Sequence, residues 1–140
     1  MTALRVLVVD DSEIIRRGVC TLLAGQPDLL VVSVACDGLE AVEQAREQHP
    51  DVILLDISLP RLNGIEAARR IRNVAPESKI IFLSQHDTWA TAREALKTGA
   101  AGYVVKSDAA SDLILGVWSV YRGKAFVSST LAATDPRTSH

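Results

Sequence analysis

Val52-Ile53-Leu54-Leu55-Asp56 runs four apolar residues without alternation and then stops on a carboxylate. A strand with water on one face alternates apolar and polar side chains. An unbroken run of this length therefore predicts a strand covered on both faces, as in a parallel sheet. Val6-Leu7-Val8-Val9 and Ile80-Ile81-Phe82-Leu83 repeat the pattern to either side. Two further runs, Leu29 to Ala35 and Tyr103 to Val105, complete the set; the first alternates at Val32-Ser33-Val34, which suits an edge strand. Between the runs, Ile15, Val19 and Leu22, and again Trp89, Ala92 and Leu96, fall at helical spacing. Asp37 with Glu40 and Asn63 with Glu66 fit the capping box that starts a helix. His49-Pro50 and Ala75-Pro76 end the second and third helices, because the residue before proline avoids the α region. The fifth helix spans about Ala109 to Tyr121 and Gly123 closes it. Strand-helix units in this alternation, with right-handed crossovers, predict a doubly wound α/β domain.

The chain has 140 residues, 48% hydrophobic and 23% charged, room for one globular domain with one core. Its formal net charge of −2 is spread over interspersed residues, which points to neither nucleic acid nor an anionic membrane. Cys20 and Cys36 share no metal-ligand spacing, and we expect both to be buried thiols. Without a cysteine framework or a signal peptide, a reducing cytoplasm is the expected compartment. The longest apolar runs reach about eight residues, far below the ~20 that span a bilayer. After Gly123 the pattern fades into Ser128-Ser129-Thr130 and Thr134-Asp135-Pro136. The domain is accordingly placed at residues 3–122, with 123–140 as a linker or C-terminal tail.

In a doubly wound sheet the working site lies beyond the carboxyl ends of the strands. Asp10-Asp11 stands there after the first strand, Asp56 after the third, Ser84 at the end of the fourth and Lys106 after the fifth. Three carboxylates so close repel unless a cation joins them. Mg2+ is the natural one, since it takes one or two carboxylates together with waters and phosphate oxygens. With a lysine and a hydroxyl the set suits phosphoryl transfer. Asp56 is the carboxylate nucleophile, Lys106 neutralises charge, and the Ser84 hydroxyl donates to a phosphoryl oxygen.

These residues resemble the receiver (CheY-like) domain of two-component response regulators over about residues 3–122. The likeness is carried by Val8-Val9-Asp10-Asp11, by Leu54-Leu55-Asp56-Ile57-Ser58-Leu59-Pro60, by Gly64 and Ser84, and by Gly102-Tyr103-Val104-Val105-Lys106. The resemblance implies a flavodoxin-like (βα)5 fold with sheet order 2-1-3-4-5 and a sensor histidine kinase as phosphate donor to Asp56. It implies Mg2+ held directly by Asp11, Asp56 and the backbone carbonyl of Ser58, with Asp10 acting through water. Ser84 and Tyr103 match the family's switch pair, the tyrosine turning inward once the hydroxyl moves. Ser58 and His86 match positions that tune the lifetime of the phosphorylated state. Ile15-Arg16-Arg17-Gly18-Val19, Ala100-Ala101-Gly102-Tyr103 and Val120 to Ser128 further resemble the NarL/FixJ regulators, which carry a LuxR-type helix-turn-helix. The stretch after Gly123 is too short for that module, so we expect no direct DNA contact by this chain, which is either a stand-alone receiver or, as its linker-like tail favours, one separated from its output at the linker.

Many receivers follow the lysine with a cis proline, whereas Ser107 follows Lys106 here. A cis bond without proline costs about 2.5–4 kcal/mol, so this loop is either trans or strained. A phosphatase of the haloacid dehalogenase type would need a second aspartate two residues after the nucleophile, where Ser58 stands. A flavin phosphate would be repelled by the carboxylates after strands 1 and 3, and no glycine-rich cradle is present. A degenerate receiver that only binds partners would not need the complete acidic, hydroxyl and lysine set. On the fifth helix, Leu113, Ile114, Val117 and Val120 make an inward stripe that turns Leu115 and Trp118 outward. With Trp89 on the fourth helix they are candidate homodimer contacts, on the helix 4–strand 5–helix 5 face or between helices 5 and 1.

Overall fold

The computed structural model describes residues 2–134. Its elements are β1 (Leu4–Val9), α1 (Glu13–Ala24), β2 (Leu29–Ala35), α2 (Gly38–Gln48), β3 (Val52–Leu55), α3 (Gly64–Val74), β4 (Lys79–Ser84), α4 (Trp89–Leu96) and β5 (Gly102–Val105). A 3-10 turn (Lys106–Asp108) leads into α5 (Ala109–Tyr121), then β6 (Phe126–Val127) and α6 (Ser129–Ala133). The strands pair in parallel in the order β2-β1-β3-β4-β5-β6, so the expected five-stranded order is present with one more strand at its end. β2 is an edge strand, as its alternation indicated.

The unbroken apolar strands serve two layers. Ile53, Leu55, Phe82, Tyr103 and Val105 pack against Ala41 and Ala45 of α2, Ala68 and Ile71 of α3, and Ala92 and Ala95 of α4. Val52, Leu54, Ile81, Leu83 and Val104 pack on the other face against Val19 and Leu23 of α1 and Leu113, Val117 and Val120 of α5. Successive side chains of a strand point to opposite faces, so a sheet with helices on both sides needs apolar residues at every position. Both expected N-caps form, with Asp37 accepting from the Glu40 N–H at 2.8 Å and Asn63 from the Glu66 N–H at 3.0 Å.

Three expectations are corrected. The segment read as a linker from residue 123 folds back: β6 adds to the open edge of β5, and Leu131 of α6 is fully buried in the first layer. Residues 135–140 of that tail lie outside the described residues. Cys36 is exposed rather than buried, its Sγ 3.7 Å from Glu40 Oε2, while Cys20 is half-buried. Of the candidate interface residues, Trp89 donates its indole N–H to the Leu131 carbonyl at 2.9 Å. Trp118 is half-buried against the second layer, edge-on to Tyr121 with ring centroids 6.1 Å apart. Leu115 does point outward, 58% exposed. No helix among the described residues is long and apolar enough to cross a membrane.

Candidate functional site

β1, β3, β4 and β5 all end at one edge of the sheet, and the residues singled out there meet. Asp56 follows β3 directly, its N–H bonded to the Val9 carbonyl at 3.1 Å, which extends the β1–β3 ladder by one residue. Asp10 is fixed from two sides: its Oδ1 accepts from the Ser12 N–H at 2.9 Å, and its carbonyl accepts from Arg16 at 2.8 Å. Arg16, in the sequence only a mark of resemblance, thus ties α1 to the acidic loop. Gly64 lets α3 begin close behind Asp56: a Cβ there would sit 1.9 Å from the Asp56 carbonyl oxygen. No side chain fits such a gap, so this glycine is required by close approach.

The charges do not balance. Asp10 and Asp56 are 3% and 4% exposed, Asp11 is open to solvent, and carboxylate oxygens of the three lie within 4.8 Å of one another. The one lysine among them, Lys106, places Nζ 2.7 Å from Asp10 Oδ2 and 3.1 Å from Asp56 Oδ2. It donates a hydrogen bond to Asp56 and pairs closely with the buried Asp10 Oδ2, so a single ammonium serves both carboxylates. Burial pushes the Asp56 carboxyl above its ordinary value; Lys106 opposes this and the Asp10 charge adds to it. Burial works against the charged form of Lys106, yet the Asp10 and Asp56 carboxylates outweigh it and raise its pKa. One ammonium against three clustered carboxylates, two of them buried, leaves negative charge that a hard divalent cation would satisfy, so the residues present fit Mg2+.

Ser84 is fully buried at the end of β4. Its Oγ accepts from the His86 N–H at 3.1 Å, and the Tyr103 hydroxyl donates to the His86 carbonyl at 2.8 Å. Tyr103 is completely enclosed, and burial raises its pKa above the ordinary phenol value. The tyrosine expected to turn inward therefore already lies inside. The His86 ring meets the Ser58 hydroxyl at 3.1 Å across the mouth of the site, while Ser58 N–H reaches Asp56 Oδ1 at a long 3.4 Å. His86 links Ser84 and Tyr103 to Ser58 through its backbone as well as its ring, a connection that the sequence did not reveal. The Lys106–Ser107 peptide is trans, since no cis bond occurs among the described residues.

A family model described as the response regulator receiver domain matches residues 6–117. The chain belongs to the response regulator receiver family. As a receiver it is a signalling switch rather than an enzyme with a turnover of its own. The receiver is 40% identical over 124 residues to the transcriptional regulatory protein DegU of Brevibacillus brevis, covering 89% of this chain and 52% of that protein. A solved two-component response regulator of the LuxR family from Aurantimonas superposes with a TM-score of 0.91 at 34% identity, over 99% of this chain and 100% of that one. The receiver domain of NarL from Mycobacterium tuberculosis gives 0.84 at 31%, over 89% and 100%. The likeness to NarL/LuxR-type regulators read from the sequence is thus borne out. The chain spans from about half to three-fifths of the length of the curated relatives it matches.

Proposed function

We propose that Asp56 is the phosphoacceptor of a cytoplasmic two-component system, taking its phosphoryl group from a sensor histidine kinase. The observation that carries this is the buried Asp10–Asp56 pair bridged by a single Lys106, with the Asp11 carboxylate beside them. An Asp56 carboxylate oxygen attacks the phosphorus of a phosphohistidine. The new P–O bond gives an acyl phosphate, the P–N bond breaks, and the freed imidazole keeps the electron pair and takes up a proton. Lys106 opposes the effect of burial on the Asp56 carboxyl and neutralises charge on the transferred group. Ser84 Oγ gives up its contact with the His86 N–H to donate to a phosphoryl oxygen. Mg2+, held by Asp11, Asp56 and the Ser58 carbonyl with Asp10 behind a water, would neutralise the phosphoryl oxygens.

The output is regulation of transcription through a LuxR-type helix-turn-helix module, a reading supported by the described roles of the relatives. A second copy of the chain pairs on phosphorylation along α1 and α5. Ile14 (82% exposed) and Leu115 stand exposed there, and an apolar groove of about 340 Å³ opens between Ile14, Gly18, Leu22 and Ala109. The test is intact mass after acetyl phosphate treatment with and without Mg2+. A gain of one phosphoryl group that needs Mg2+ and disappears in Asp56→Asn is expected. An equal gain in that variant would move the acceptor elsewhere.

A further inference from the structure

The segment after α5 is bound at more points than its polar sequence suggests. Phe126 N–H donates to the Ala101 carbonyl at 3.1 Å and Ser128 N–H to the Tyr103 carbonyl at 3.0 Å. The Ser128 hydroxyl, fully buried, accepts from the Val105 N–H at 2.9 Å. The Asp112 carboxylate accepts from Ser129 N–H and Oγ at 2.8 and 2.7 Å; that of Asp108 accepts from Thr130 N–H and Oγ1 at 2.9 and 2.7 Å. Trp89, the first residue of α4, holds the Leu131 carbonyl, and the Leu131 side chain joins the layer that contains Tyr103 and Val105. Two of these anchors, Val105 and Asp108, lie on either side of Lys106.

We infer that Phe126–Ala133 is a strap over the α4–β5–α5 face whose docking is coupled to the phosphoacceptor site, so that loading the site loosens the strap and uncovers the face. This rests on the proposed role of Asp56. The Lys106 ammonium sits between Asp10 and Asp56, and a phosphoryl group on Asp56 draws it from that position. Its backbone begins the 3-10 turn whose two sides hold Ser128 and Thr130, so movement there acts directly on both anchors. Tyr103 gives a second link: its hydroxyl engages the His86 carbonyl beside Ser84, and its own carbonyl holds Ser128. A two-residue strand and a five-residue helix at the end of a domain open locally well before the domain unfolds. Docked and released straps are therefore the two states that the site can bias, and the coupling must be reciprocal.

The test is amide hydrogen exchange of the full chain with Mg2+ alone and with Mg2+ plus beryllofluoride, followed in residues 52–60 and 84–88 for the site and 124–134 for the strap. Exchange in the strap is expected to rise roughly fivefold or more on loading while the site segments become protected. The double variant Asp108→Asn/Asp112→Asn, and separately Leu131→Ala, should exchange faster in the strap before loading and bind beryllofluoride more tightly. If the site segments are protected while the strap is unchanged or slowed, and both variants bind beryllofluoride as the parent does, the strap is a static part of the domain and the coupling is overturned, with the reading of Asp56 intact. If neither segment responds, both inferences fail together.

Discussion

Two pairs of aspartates sit at opposite ends of one short stretch of structure, and they are treated in opposite ways. Asp10 and Asp56 are buried beside each other with one lysine between them, and burial drives the Asp56 pKa up. Asp112 accepts a backbone N–H and a hydroxyl from Ser129, which hold its pKa down. Burial pushes Asp108 up, but the N–H and hydroxyl of Thr130 outweigh it and the net shift is also downward. The first pair shares one ammonium beside a third carboxylate, so it keeps a negative charge that a cation would neutralise. The second has its donors supplied by the chain itself and serves to fasten the tail. Burial with too little positive charge raises a carboxylate pKa here, and hydrogen bonds from the chain lower it.

The largest effect that would break this contrast is Lys106→Ala. It leaves two buried carboxylates without their cation, and stability without divalent ions should fall by up to about 3 kcal/mol, tempered by the partial exposure of the lysine. Mg2+ should restore part of the loss. Urea titrations with EDTA and with Mg2+ read both, and an unchanged midpoint in EDTA would mean that the acidic pair is not strained. Next in size is Gly64→Ala, whose Cβ must push against the Asp56 carbonyl. A loss of about 1–3 kcal/mol is expected, together with slower labelling of Asp56, because the displaced backbone is that of the proposed acceptor. A variant with normal urea stability and normal labelling would show that the α3 start can shift away at no cost.

The smallest effect concerns the other pair. Asp108 and Asp112 have folded pKa values below the ordinary carboxylate value of about 3.8, so their contribution is fully present above that value. It is lost as pH falls below it through the lowered folded values. Tryptophan fluorescence, with Trp89 bonded to Leu131, should report strap release on acidification from pH 5 downward, and Asp108→Asn/Asp112→Asn should flatten that transition. An acid transition identical in the variant would assign the change to other carboxylates.

Much of the molecule was legible beforehand because the signals were local. Non-alternating apolar runs marked the central strands, Asp37 with Glu40 and Asn63 with Glu66 marked helix starts, and Gly123 marked the end of α5. The acidic, hydroxyl and lysine residues could be grouped because a parallel sheet sends the ends of its strands to one edge. The tail was not legible for an equally physical reason. Phe126-Val127 is too short to show a period, and Ser128-Ser129-Thr130 has the composition of a linker. Its partners are the open edge of β5, Asp108 at the end of the 3-10 turn, Asp112 in the first turn of α5, and an indole on α4, which are near each other only once the domain has folded.

By itself, then, the sequence determined a doubly wound sheet with a cluster of charges at its carboxyl edge, because hydrophobic periodicity and strand polarity are properties of contiguous residues. Tertiary structure alone decided that Lys106 is shared between Asp10 and Asp56, that Tyr103 lies inside, that Trp89 is engaged by the tail and that Ser128 is buried. Each of these depends on distances between residues far apart in the chain, set by packing.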